Sequence, residues 1–269
     1  MTNRYDVQEK RNIKLILEYE GASYHGWQRQ QGTLTVQEVL ESRLAVMLGG
    51  TVGVRASGRT DAGVHAKGQV VNFYSRSRLA PEEIQRGLNS LLPPDIVVLG
   101  AEEADHSFHA RFSAISKIYE YRILNRPVPS ALERAYSWHI RQLLAVEPMR
   151  RCLEELTGSH DFSAFMAAGS SVTSTQRHIF RASLEQPDPA HLVFSFEADG
   201  FLRHMVRNLV GTLVDVGRGK RTPEEFSKIL AGGDRRKAGM TAPAHGLYLV
   251  AVHYGNKGEL PKRRGVEKQ

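Results

Sequence analysis

Apolar and polar positions alternate along residues 13–19, with Ile13, Leu15, Leu17 and Tyr19 on one side and Lys14 and Glu18 on the other. A period of two reads as a half-buried strand. Residues 21–31 break the pattern with glycine and glutamine, so they read as a loop, and its Trp27 is taken as a lid on the core rather than a base-stacking group. Thr35 with Glu38 makes a capping box in front of Val36, Val39, Leu40, Leu44 and Met47, whose helical spacing predicts a helix that leaves at Gly49 and Gly50. Strands are predicted at 51–56 and 69–74, a helix opens at Pro81 and stops before Pro93 and Pro94, and a strand returns at 96–99. The order is β-α-β-β-α-β.

The second half repeats that rhythm. After a connection over 106–116, strands are predicted at 117–124 and 136–140 and a helix at 144–156. Strands at 179–185 and 192–197 pair across Pro187-Asp188-Pro189. A helix at 201–216, a shorter one capped by Thr222 and Glu225, and a strand at 247–254 complete the set. The predicted fold is α+β, two ferredoxin-like lobes with a mostly antiparallel sheet. The lobes are placed at 8–105 and 106–255, with a basic tail at 256–269. Their symmetry rests on element order, since no sequence repeat relates them.

Composition narrows the function. At 269 residues with 41% apolar content the chain can bury a core without staples. Its single cysteine, Cys152, excludes an intramolecular disulfide, and it falls on the apolar side of the 144–156 helix, where a buried inert thiol is expected. The first residues lack the apolar core of a signal peptide, and no apolar run approaches the roughly 20 residues that span a bilayer. A cytoplasmic protein without a membrane partner is expected.

The net charge of +7 points to a polyanion. Arg203, Arg207, Arg218, Lys220, Arg221, Arg235, Arg236 and Lys237 fall in a stretch with four acids, and on one face they would track a phosphate backbone. Lys257, Lys262, Arg263, Arg264 and Lys268 give the tail its own charge. Among eleven histidines there is no His-Glu-x-x-His, and one cysteine cannot build a thiolate zinc site. His106 and His109 are three apart without acidic or sulfur partners nearby, so they are not read as ligands. No carboxylate cluster is seen to hold Mg²⁺, which disfavours a metal-dependent nuclease.

The chemistry concentrates at Gly58-Arg59-Thr60-Asp61-Ala62-Gly63-Val64-His65-Ala66-Lys67-Gly68. Its glycines let another molecule approach the main chain. It presents Asp61, which the Arg59 guanidinium two residues away can hold ionised as a nucleophile or base. It is not a phosphate-binding P-loop, which needs Gly-Lys-Ser/Thr opening a helix.

Residues 58–70 closely resemble the catalytic signature of the tRNA pseudouridine synthase A family. The resemblance continues through Gly26-Trp27-Gln28, Thr35-Val36-Gln37, Leu88-Asn89, Leu92-Pro93, Phe108-His109-Ala110-Arg111-Phe112, Lys117-Ile118-Tyr119-Glu120-Tyr121, His160-Asp161-Phe162, Met205-Val206-Arg207-Asn208 and Thr241-Ala242-Pro243. The family often carries Ala where this chain has Ser57; both are small. The resemblance implies two lobes with joined sheets and a catalytic cleft between them. It also implies isomerisation of uridine to pseudouridine at positions 38, 39 and 40 of the tRNA anticodon stem-loop, by a homodimer that needs no cofactor and no metal.

By the same resemblance Asp61 is the catalytic aspartate, attacking the ribose C1′ or the uracil ring, or assisting departure of the base as a glycal. Arg59 supports it and wedges into RNA, and Tyr119 contacts the target uracil. Arg207 is the one charge among Met205, Val206, Leu209 and Val210, so it needs a partner, and Asp61 is the expected one. A non-catalytic RNA-binding protein is the alternative, and it would not need this set.

Overall fold

The computed structural model describes residues 10–167, 169 and 172–255. The predicted basic tail lies outside them. Ten strands and five α-helices run in the order β1 (Arg11–Tyr19), α1 (Val36–Leu48), β2 (Arg55–Ala56), β3 (His65–Ser75), α2 (Pro81–Leu91), β4 (Ile96–Ala104), β5 (Ala114–Asn125), β6 (Trp138–Ile140), α3 (Val146–Glu154), β7 (Gly158–Asp161), β8 (Gln176–Asp188), β9 (His191–Ala198), α4 (Met205–Gly217), α5 (Pro223–Gly232) and β10 (Leu247–Tyr254).

The strands form one sheet in the order β4-β1-β3-β10-β5-β9-β8-β7, with β2 on β3 and β6 on β5. Its pairings are antiparallel except β3 with β10 and β5 with β6. The β3–β10 seam has two register pairs, Tyr248 opposite His65 and Leu249 opposite Ala66. Gly68 makes room for it, because a Cβ there would lie 2.4 Å from the Val250 carbonyl oxygen.

The helices form where their caps and apolar stripes direct. Thr35 accepts from the Glu38 amide, Gly49 leaves α1 at φ 71°, and Val36, Leu40 and Leu44 are buried. In α2, Pro81 opens the helix and Ile84 and Leu88 face inward. Each such buried side chain contributes about 1.5–3 kcal/mol. Along β1, Ile13, Leu15 and Leu17 are fully buried, as their alternation required. Trp27 is 2% exposed and packs 6.1 Å from the Tyr19 ring, so it is core. Cys152 is fully buried, and burial pushes its thiol up to about 11.

Several boundaries differ from those the sequence suggests. The strand expected at 51–56 pairs only at Arg55 and Ala56. The strand expected at 69–74 begins at His65, since Gly68 admits the neighbouring strand. The helix expected from 201 begins at Met205, because His204 takes a left-handed conformation (φ 61°) that cannot continue a helix backwards. Strand β7 carries no apolar alternation and was not foreseen; its partner β8 supplies the pairing.

Candidate active site

Asp61 sits in the turn before β3, and the turn is held from behind and from the sides. Behind it, the Trp27 amide donates to the Thr60 carbonyl (3.0 Å) and the Gly63 amide to the Tyr24 carbonyl (3.3 Å). Gly26 has φ 87°, and a Cβ there would lie 2.6 Å from the Thr60 oxygen, so this backing requires glycine. Thr60 is buried, its hydroxyl 2.8 Å from that of Tyr19, whose ionisation burial pushes up to about 12.

The loop's shoulders are tied to two strands. From β3, Gln69 donates to the Gly58 carbonyl (2.9 Å) and accepts from the Ser57 hydroxyl (2.7 Å). From β5, the Lys117 ammonium donates to the Ser57 carbonyl (2.6 Å). Burial, with Arg111 and Arg177 adding positive charge, lowers the Lys117 amine to about 8. The loop of the first half is thus anchored to a strand of the second.

The Asp61 carboxylate meets the other half of the chain directly. Arg207 Nη1 donates to Asp61 Oδ2 at 3.0 Å, with the two side chains 15% and 29% exposed. The Arg207 Nε donates to the Ala242 carbonyl (2.7 Å), and the Ala242 amide returns a bond to the Arg207 carbonyl (3.1 Å). The guanidinium is therefore aimed as well as paired. The segment that supplies Ala242 is itself braced, because Arg235 and Thr241 both reach Asn208 Oδ1 on α4. His204 Nε2 lies 3.4 Å from the same Asp61 oxygen.

The sequence pairing of Arg207 with Asp61 matches this geometry. The support expected from Arg59 does not: its side chain is exposed, and among the described residues it forms no ion pair with Asp61. The direct partner comes from 146 residues along the chain. Tyr119 is 8% exposed on β5, edge-on to Phe201 at a centroid distance of 4.9 Å. Burial, the nearby Tyr19 hydroxyl and the Asp61 carboxylate all raise its ionisation above the ordinary phenol value. It stands beside Asp61 as a phenol, a hydrogen-bond donor with an aromatic face.

The basic stretch of the second half does not form one face. Arg207 and Arg235 turn inward, Arg218 lies over the Trp138 ring, and Arg221 and Arg236 pair with Asp215 and Asp234. His204 and Lys117 were missed by sequence reading. A histidine immediately before an apolar helix gives no sign of a left-handed turn, and a lysine on an alternating strand looks solvated.

His65, next to the loop, has a structural part. It is 2% exposed, accepts from the Gly21 amide at Nδ1 (3.1 Å), and donates from Nε2 to the Ala135 carbonyl (2.9 Å). It also stacks on Tyr248 at 4.8 Å across the β3–β10 seam. Burial lowers its pKa below the usual histidine value. The neutral ring therefore stabilises the fold fully above about pH 6.5, and that stability is lost as the pH falls through the depressed folded value. Thermal unfolding is expected to move to lower temperature between about pH 7.5 and 5.5, and less so in His65→Gln. An unchanged pH slope in that variant would clear His65 of the effect.

Comparison with known proteins follows the same lines. A sequence model of the family described as tRNA pseudouridine synthase matches residues 15–113 and 153–255. The tRNA pseudouridine synthase A of Thermoanaerobacter sp. (strain X514) is 46% identical over 244 residues, covering 91% of this chain and 100% of the relative. Those of Syntrophotalea carbinolica (46%, 90% of this chain and 96% of the relative) and Moorella thermoacetica (47%, 90% and 99%) are similarly near.

Proposed function

This chain belongs to the tRNA pseudouridine synthase family, and on that premise we propose that it isomerises uridine to pseudouridine in tRNA with Asp61 as the catalytic nucleophile. The observation that carries the assignment of Asp61 is its pairing with Arg207. Both partners of the carboxylate make their nearest approach at Oδ2, and among the described residues none hydrogen-bonds Oδ1. One oxygen is fixed and the other carries no hydrogen bond. That second oxygen attacks the ribose C1′ or the uracil ring, or assists departure of the base as a glycal. Each route asks for an unencumbered carboxylate oxygen held still.

Tyr119 offers the uracil a ring face and a phenolic donor, and Phe201 fixes its orientation. Arg59, exposed on the loop, enters the RNA and holds the space of an extruded base. Extrusion costs a few kcal/mol of stacking, which phosphate contacts to a chain of net charge +7 offset.

We read the substrate positions as 38, 39 and 40 of the anticodon stem-loop and the working unit as a cytoplasmic homodimer, all three on family membership. No helix of the described residues is long and apolar enough to cross a membrane. We also read residues 8–105 and 106–255 as two ferredoxin-like lobes. Strand orders β4-β1-β3 with β2 on β3, and β10-β5-β9-β8, support that reading, because the two are the same pattern used once in each half.

The test is chemical mapping of pseudouridine in unmodified tRNA transcripts incubated with the wild-type protein, alongside a binding assay. Pseudouridine at 38–40 is expected without added metal or cofactor. Binding without reaction, with or without supplements, would favour the RNA-binding alternative.

A further inference from the structure

His204 has been given no role of its own beyond its contact with Asp61, yet among the described residues it is the one non-glycine with positive φ, at 61°. A β-carbon in that conformation is held against a local preference, and such outliers persist where surrounding structure imposes them. Here the turn directs the imidazole to the reacting group, with Nε2 3.4 Å from Asp61 Oδ2. The following residues are fixed regardless, because the Asn208 amide donates to the His204 carbonyl (2.9 Å) and the Met205 amide to Leu202 (3.0 Å).

We propose that His204 is a positioning residue of the isomerisation: with Arg207 it occupies Oδ2 of Asp61 and so commits Oδ1 as the oxygen that meets the substrate. The inference rests on the assignment of Asp61 as nucleophile. Arg207 alone fixes one direction of approach to Oδ2, and the carboxylate can still swing about that contact. A second group on the same oxygen, arriving from the turn before α4, removes the swing. The imidazole faces Asp61 from the loop, Arg207 from α4, Arg203 from its own turn and Arg235 from the segment after α5. Burial and the three arginines lower its pKa, while Asp61 opposes them. These causes favour the neutral ring, which stands against Oδ2 by its position, 3.4 Å away, without adding a cation for the carboxylate to neutralise.

The strain makes this testable apart from folding. Glycine adopts the left-handed turn freely, so in His204→Gly the relief of the turn opposes the loss of side-chain contacts, and the melting temperature is expected within about 2 °C of wild type. Asparagine also tolerates the turn and restores a side-chain N–H.

Single-turnover pseudouridine formation on a tRNA transcript is expected to fall about 10- to 100-fold in His204→Gly, with tRNA affinity unchanged, and to recover in part in His204→Asn. An acid-side ionisation in the wild-type rate profile is expected to be missing from the profiles of both variants. A His204→Gly rate equal to wild type would overturn the proposal and leave the turn a helix start only. A fall matched by weaker tRNA binding would overturn it in favour of an RNA contact. If His204→Gly fails to fold, His204→Asn decides alone, a wild-type pH profile overturning the proposal. A wild-type protein that forms no pseudouridine would defeat the nucleophile assignment instead.

Discussion

Asp61→Asn is expected to abolish pseudouridine formation, by at least about 10⁴-fold, while tRNA binding stays equal to wild type or tightens. The asymmetry follows from the geometry. Asparagine has the same shape and still accepts from Arg207 through its carbonyl oxygen, so the loop that Gly26, Thr60 and Gln69 hold keeps its place. What it lacks is the negative charge and the second oxygen, which an NH2 group replaces. Weakening one ion pair whose partners are 15% and 29% exposed costs less than about 1 kcal/mol of stability, so the folded protein remains available to bind. Mapping of the modified base with a parallel filter-binding titration reads both quantities. A variant retaining more than about a tenth of wild-type rate would remove Asp61 from the nucleophile's role.

Arg207→Met is expected to damage rate and stability together. Methionine fills much of the volume but leaves the Ala242 carbonyl without its side-chain donor and Asp61 Oδ2 with His204 alone. An uncompensated, part-buried carboxylate and carbonyl together cost about 2 kcal/mol, less than for a fully buried pair because solvent reaches both side chains. That lowers the melting temperature by about 4–8 °C. The rate is expected to drop about 10²- to 10³-fold, since the carboxylate loses its aim. Lysine should not rescue it, because one ammonium cannot point Nε at Ala242 and Nη1 at Asp61 simultaneously. Pairing Arg207→Met with Asp61→Asn should give a rate no worse than Asp61→Asn alone. Additive losses would place Arg207 in a separate task.

The parts of this molecule legible in the sequence are those governed by neighbours in the chain. Thr35 with Glu38, Pro81, and Thr222 with Glu225 start helices by local hydrogen bonds or fixed dihedrals, and each helix begins there. The alternation of β1 maps directly onto its burial. Arg207 revealed itself as a lone charge on an apolar helix, and a charge in that position needs a partner.

What stayed hidden depends on long-range approach. Arg59 is nearest to Asp61 in sequence and looked like a second support, yet its side chain is exposed and among the described residues it forms no ion pair with Asp61. The short β2 reflects pairing that extends over only two residues of β3. The Thr241-Ala242-Pro243 run gave no chemical clue in isolation. Its carbonyls turn out to receive Arg207 at Ala242 and the Tyr121 hydroxyl at Pro243 (2.7 Å).

The position of β10 also governs how the molecule comes into being. It lies in the middle of the sheet, between β3 and β5, although the ribosome makes it after every other described strand. Until residues 247–254 emerge, β3 at His65 and Ala66 and β5 over 114–121 lack the partner that β10 provides, and each is a template for pairing with another chain. Of the contacts along its backbone, the bonds to β5 span more than a hundred residues, so assembly is slow and late. The growing polypeptide therefore passes through a stage with both halves made and no continuous sheet. A chain ended before residue 247 is therefore expected to aggregate rather than fold to a partially active enzyme, which sedimentation of the truncated protein after expression would check.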